Sequence, residues 1–258
     1  MPFDTDYLDR IGVQRPPRAD AETLRVLHAA HLTRVPFENL SIHLGEPISL
    51  EPHALRDKII DRRRGGFCYE LNGLFARLLD ALGYRVELLA ARVWGGQAFG
   101  PPLDHLALGV QCESECEDGR WLADVGFGAH SLYALRVEHG LDQDDPGGRF
   151  RVERAPHGDL DVWRDGVLQY RVEAHPRTLA EFEAMCWYQQ NSPSSHFTRN
   201  VVCSLQTTTG RVTLSGDRLV RTVHGRKEET RLAYDTEILR TYADVFGIVL
   251  DRVPLQPR

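Results

Sequence analysis

Leu71, Leu74, Phe75, Leu78, Leu79 and Leu82 recur at i, i+3, i+4, i+7, i+8 and i+11. That is the one-sided apolar pattern of an amphipathic helix. Immediately before it stands Arg64-Gly65-Gly66-Phe67-Cys68-Tyr69-Glu70. Two glycines let the backbone turn sharply, so the chain must turn and open a helix with Cys68 in or beside its first turn. Unpaired N–H groups and the positive dipole end at that place favour thiolate over thiol. Two roles fit Cys68 at this point: a nucleophile, which requires the thiolate, or a small buried apolar residue.

The segments on either side divide into a helix-rich, a strand-rich and a mixed third. Asp20 can cap a helix carrying Leu24, Leu27, Ala30 and His31. Val35-Pro36-Phe37-Glu38-Asn39-Leu40 interrupts it, because proline disfavours helix at the preceding residue. A short helix is expected over 51–62, and the Cys68 helix ends near Gly83. From Tyr84 the period changes to two. Val86 and Leu88, then Leu106, Leu108 and Val110, then Trp121, Ala123 and Val125 alternate with their neighbours as strands do. Gly95-Gly96 and Pro101-Pro102 bracket a loop. Further strands are expected over 149–154, 160–164 and 167–173, with Asp165-Gly166 as a tight turn, which makes the middle third a small antiparallel barrel or curled sheet. Residues 139–148 read as a solvent loop. A helix over 178–190 follows, then strands over 200–207, 211–215 and 218–224. A last helix, opened by Asp235 or Thr236, stops at Gly247.

Composition removes several function classes. The chain has 258 residues, 42% of them apolar and 26% charged, which suits a soluble protein with a real core. No apolar run approaches the roughly 20 residues of a membrane span. Met1-Pro2-Phe3-Asp4-Thr5-Asp6 lacks the apolar stretch of a secretory signal, so a cytoplasmic location is expected. A net charge of −6 argues against nucleic-acid and anionic-membrane partners, which need a basic face. Cys112 and Cys116 have neither a second close pair nor an adjacent histidine, so no metal site is expected.

A cysteine nucleophile needs a base, and the base needs an orienting acceptor. His105 is the candidate base. It begins a strand after a Pro-rich loop, on the face opposite Leu106, Leu108 and Val110; a solvated loop histidine is the alternative. Asp124 is the candidate orienter. It ends a strand just before Val125-Gly126-Phe127-Gly128, where an acidic group is costly to bury unless paired; an Asx-type turn is the alternative. Spacing alone does not bring the three together. Phe37 and Phe127 read alone as core aromatics.

Five ordered segments are similar to the arylamine N-acetyltransferase family. They are Val35–Leu40, Arg64–Asn72, His105 within Asp104-His105-Leu106-Ala107-Leu108, Asp124–Gly128, and Asn191-Ser192-Pro193-Ser194-Ser195-His196-Phe197. The resemblance implies an α+β fold with a helical bundle over 1–84, an antiparallel β-barrel over 85–190 and an α/β lid over 191–258. It implies a cysteine-protease-like triad of Cys68, His105 and Asp124. It further implies acetyl transfer from acetyl-CoA to an arylamine, arylhydrazine or arylhydroxylamine, by ping-pong kinetics through an acetyl-Cys68 thioester, as in xenobiotic metabolism. Acetyl-CoA is then a co-substrate, with no metal or tightly bound cofactor, in a monomer or homodimer. Phe37 and Phe127 become pocket walls, and Gly126 and Gly128 admit a close backbone approach to substrate. Backbone N–H groups near Cys68 and in the 101–104 loop are candidate oxyanion donors. Ser192, Pro193, Ser195 and Phe197 are expected to support the cleft, and His224, Arg226 and Lys227 form a basic cluster read as a solvated turn. Two departures stand out. Asp104 occupies a position that is usually small and hydroxylic, where it can compete with Asp124 for His105. The chain also ends soon after its last helix, which implies a short lid and an open acceptor pocket. Another acyl-CoA donor or a natural-product amine, as in an amide synthase, is the alternative, followed by a thiol hydrolase.

Overall fold

The computed structural model describes residues 2–112 and 119–255; Cys116 lies outside them. The chain opens with helices α1 (Phe3–Ile11) and α2 (Ala21–Arg34), the second capped by Asp20 through Thr23 N–H at 2.9 Å. The two-residue strand β1 (Phe37–Glu38) and helices α3 (Leu40–Leu44) and α4 (Pro52–Arg56) follow. The helix expected over 51–62 is split, because Asp57–Asp61 widens into a π-turn. Helix α5 (Cys68–Ala81) begins at Cys68 itself, and its apolar face is buried against α1, α4 and the sheet.

Eight antiparallel strands form the middle third. They are β2 (Arg85–Val93), β3 (His105–Gln111), β4 (Arg120–Ala123), β5 (Leu135–Arg136), β6 (Asp142–Asp145), β7 (Gly148–Arg154), β8 (Leu160–Arg164) and β9 (Val167–Arg177). Their spatial order is β5-β4-β3-β2-β9-β8-β7-β6. The two edges, β5 and β6, meet through Gln143, whose amide accepts from Arg136 N–H at 2.7 Å and donates to Arg136 O at 3.0 Å. One side chain thus nearly closes the barrel and covers edges that would otherwise stay unpaired. Strand β6 falls inside the stretch read as a solvent loop. Its Asp-Gln-Asp-Asp sequence carries no apolar alternation, so pairing with β7 alone makes it a strand.

Strand β3 is buried on both faces. Leu106, Leu108 and Val110 join the α5 core, while Ala107 joins the barrel interior with Leu89, Leu122 and Phe150. Beyond the barrel come α6 (Glu183–Asn191), α7 (His196–Arg199), β10 (Cys203–Thr207), β11 (Gly210–Ser215), β12 (Arg218–Val223), β13 (Arg226–Arg231) and α8 (Asp235–Phe246). Strands β10 to β13 form a second antiparallel sheet whose far edge is β1, with Phe37 opposite Ser204. One face of this sheet, with Cys203, Val212 and Leu214, packs on Ile238, Tyr242 and Phe246 of α8 and on Leu40 and Leu44 of α3. The other face is polar. No helix among the described residues is long and apolar enough to cross a membrane.

Candidate active site

Helix α5 presents Cys68 at its first position, and buried charges hold its start. Arg64 pairs with Glu38 of β1 at 3.0 Å, and Lys58 from the π-turn pairs with Glu70 at 2.7 Å. Glu70 also accepts from the Phe67 N–H at 3.2 Å. Gly65 lies so close to β1 that an added Cβ would sit 1.8 Å from the Pro36 carbonyl oxygen. Each of these contacts fixes the turn before Cys68. The next residue, Tyr69, donates to the Leu103 carbonyl at 2.8 Å and anchors the loop leading to His105.

His105 and Asp124 pair, and Cys68 lines the same cavity as His105. His105 Nε2 is 2.7 Å from Asp124 Oδ2, with both side chains almost wholly buried. The other carboxylate oxygen accepts from Asn72 Nδ2 at 2.9 Å and from the Gly126 N–H at 3.0 Å. Burial by itself would raise the Asp124 pKa. The adjacent His105 charge and these hydrogen bonds outweigh burial and hold the carboxyl well below the usual range. His105 meets Phe127 edge-on, with centroids 5.2 Å apart, and packs at a tilt against Tyr170 at 5.4 Å. Cys68 and His105 line one cavity of about 710 Å³, together with Phe37, Phe127 and Gly128.

Cys68 departs from the expectation of a lowered pKa. It is buried among apolar groups, and burial pushes its thiol well up, while a hydrogen bond with the Leu106 backbone acts in the opposite direction. The helix start alone therefore does not supply a thiolate; a proton acceptor is required. Gly126 lines the same cavity and also packs on α5. A Cβ there would lie 2.6 Å from Cys68 Cα and 2.7 Å from Asn72 Nδ2, so its close approach is to the nucleophile's own helix. Gly128, at φ +87°, faces the Phe37 ring across the cavity.

Asp104 does not replace Asp124 as the carboxylate on His105 Nε2. Its Oδ1 accepts from Gln189 at 3.1 Å, and Gln189 in turn accepts from Ser195 at 2.6 Å. This chain links the 192–197 segment to the loop carrying His105. Burial raises the Asp104 pKa, against the pull of His105. Phe197 packs on Phe37 and Phe67, with centroids 6.1 and 5.4 Å away. His224, Arg226 and Lys227 are exposed at the β12–β13 hairpin.

Sequence reasoning assigned no role to Asn72. The available signal was its position four residues after Cys68, which puts both on one face of α5. Asn72 accepts from the Val125 N–H at 2.9 Å and donates to the Leu106 carbonyl at 2.6 Å, so it joins both strands that deliver His105 and Asp124. Tyr170 and His130 were also missed. The Tyr170 hydroxyl lies 3.1 Å from His130 Nε2, and burial pushes the His130 pKa down to about 3 against the pull of Asp124.

The family described as N-acetyltransferase matches residues 20–254. The arylamine N-acetyltransferase of Mycolicibacterium smegmatis is 38% identical over 254 residues, covering 95% of this chain and 91% of that protein. The solved structure of the M. smegmatis arylamine N-acetyl transferase aligns with a TM-score of 0.86 and 35% identity, over 94% of this chain and 91% of that one. The Mycobacterium marinum arylamine N-acetyltransferase, solved in complex with CoA, aligns with a TM-score of 0.85 and 34% identity, over 95% and 92%. The protein is therefore an acyltransferase. More specifically, the chain belongs to the arylamine N-acetyltransferase family.

Proposed function

We propose that the protein moves an acetyl group from acetyl-CoA to an arylamine, arylhydrazine or arylhydroxylamine through an acetyl thioester on Cys68. The observation that carries this reading is the 2.7 Å His105–Asp124 contact in the cavity that Cys68 also lines. With Nε2–H donating to Asp124, His105 Nδ1 is the nitrogen left to take the Cys68 proton. The thiolate attacks the acetyl carbonyl carbon, and the CoA sulfur leaves and takes the proton back from His105. An amine then enters the same cavity, attacks the thioester and yields its proton to His105. Cys68 leaves as thiolate, and the amide is complete. Phe37 and Phe127 offer apolar faces for an aryl ring, and Gly126 and Gly128 keep the cavity floor open beside them. The division into 1–84, 85–190 and 191–258 belongs to the same proposal. It is supported by the separate core of the second sheet, although that core also takes in Leu40 and Leu44.

Intact-protein mass spectrometry with acetyl-CoA tests the reading. One acetyl adduct is expected, absent in Cys68→Ala and discharged by an added arylamine. An adduct that persists in Cys68→Ala, or peptide cleavage without acyl-CoA, overturns it.

A further inference from the structure

We infer that His28 is a positioning residue: one neutral imidazole on α2 staples both ends of the segment 124–132, which carries the Asp124 carboxylate at its start and the Phe127 wall of the cavity in its middle. This rests on the acetyl-transfer reading above. The segment connects β4 to β5 and has no helix or strand of its own. Gly126, Phe127, Gly128 and Ala129 nevertheless line the cavity beside Cys68. Irregular backbone keeps such a place only when a rigid element outside it fixes its ends.

Two contacts on α2 do so. The Asp124 main-chain N–H donates to His28 Nε2 at 3.0 Å, and His28 Nδ1 lies 2.9 Å from the Leu132 carbonyl oxygen. A main-chain N–H only donates and a carbonyl only accepts. A single state of the ring satisfies both: neutral, with its proton on Nδ1. Asp124 is therefore held twice, by its N–H on His28 and by its carboxylate on His105 at 2.7 Å. Leu132 is held twice as well, its carbonyl by His28 and its N–H by the Asp145 carboxylate at 2.9 Å. The His28 side chain is fully buried and packs edge-on against Phe75 of α5, with centroids 6.2 Å apart. Burial lowers its pKa, against the Leu132 bond and the pull of Asp124, and so favours the neutral form that both bonds require.

The same helix supplies a contrast. Leu24, Leu27, His28 and His31 stand at i, i+3, i+4 and i+7 on the buried face of α2. His31 turns to α1, where its Nδ1 meets the Tyr7 hydroxyl at 2.8 Å, and among the described residues its Nε2 has no hydrogen-bond partner. His28 uses both nitrogens, and both bonds go to the one segment. A leucine at position 28 would leave the buried Asp124 N–H and Leu132 carbonyl without these partners, which is costly. The two bonds have separable consequences. Losing the Asp124 bond frees the carboxylate that orients His105, so both half-reactions slow. Losing the Leu132 bond frees the far end of the segment and loosens Phe127, so acceptor binding weakens while Cys68 loading persists.

Paired substitutions test this, because a glutamine amide reaches the place of Nε2 and an asparagine amide that of Nδ1. His28→Asn is expected to slow Cys68 acetylation by acetyl-CoA about 10- to 100-fold in rapid-mix mass spectrometry, the scale of a roughly 1 Å misplacement of the reacting geometry. His28→Gln should load Cys68 at close to the wild-type rate. Its KM for 4-anisidine should rise about 2- to 10-fold, the scale of one aromatic contact. A role in packing alone would lower the melting temperature of both variants and leave their loading rates equal; equal rates overturn the inference. Alkylation of Cys68 by iodoacetamide, resolved by peptide mass spectrometry, reads the same geometry without an acyl donor and should slow in His28→Asn only. If acetyl-CoA gives no adduct on the wild-type protein while this difference holds, the acetyl-transfer reading falls and the staple stands. If neither variant folds, the wild-type ring decides. Proton–nitrogen correlation NMR near neutral pH should show His28 uncharged with its proton on Nδ1, and a proton on Nε2 overturns the inference.

Discussion

The cleft has two unlike walls. The wall built from α5, β3 and β4 has its polar groups matched in detail: Asp124 receives His105, Asn72 and the Gly126 N–H, and Asn72 spends its own carbonyl on Val125. Both faces of β3 are covered. The wall built from β10 and β11 is covered on one face only and turns hydroxyls and the Arg211 guanidinium, which among the described residues bonds neutral partners, toward the cavity. A saturated network holds one geometry, as proton transfer requires. An unsaturated surface has donors to spare for a ligand. The contrast assigns chemistry to the first wall and selection to the second.

The most severe way to break the first wall is Asp124→Asn. The shape is kept, but the carboxylate that fixes the His105 tautomer is lost. Cys68 acetylation should slow by about 10³- to 10⁴-fold in rapid-mix mass spectrometry; a loss under tenfold would remove Asp124 from the network. Gly126→Ala tests how tightly that wall is packed. Its Cβ would meet Cys68 Cα at 2.6 Å, so a loss of roughly 1–3 kcal/mol in urea unfolding is expected, together with slower acetylation. An unchanged midpoint would mean that α5 shifts freely. The smallest effect concerns pH. His130 is held neutral, its pKa pushed down to about 3 by burial, whereas the unfolded chain binds that proton below about 6.5. Stability from this site is therefore complete above pH 6.5 and lost as pH falls toward 3, by about 1.4 kcal/mol per pH unit. Burial lowers the His28 and His31 pKa values in the same sense. Thermal melts from pH 7 to 5 should fall steeply, and less steeply in His130→Phe; equal slopes would rule His130 out.

What could be read in advance follows from burial. Helix α5 and strands β3 and β4 bury apolar residues at regular spacing, so their periods were visible. Strand β13, Arg-Lys-Glu-Glu-Thr-Arg, is exposed throughout and has no period to read; only its ladder to β12 makes it a strand. The pairing of Phe37 with Ser204 joins distant parts of the chain and leaves no local trace. The His105–Asp124 contact was anticipated as a pair of residue types, but the Asn72 bonds that hold it depend on where β3 and β4 cross α5. Arg211 could be placed on a face by alternation with Val212 and Leu214. That this face lines a cavity is settled only by how the sheet leans on the barrel.

The strand Phe37–Glu38 also governs when the enzyme becomes whole during synthesis. It emerges from the ribosome early, yet its partner β10 and the wall beyond are made more than half a chain later. A nascent chain can assemble α5, β3 and β4, with thiol and imidazole in place, while one side of the cleft is still open to water. Only when residues 203–215 arrive and close the sheet does the cavity that Cys68 lines gain its second wall.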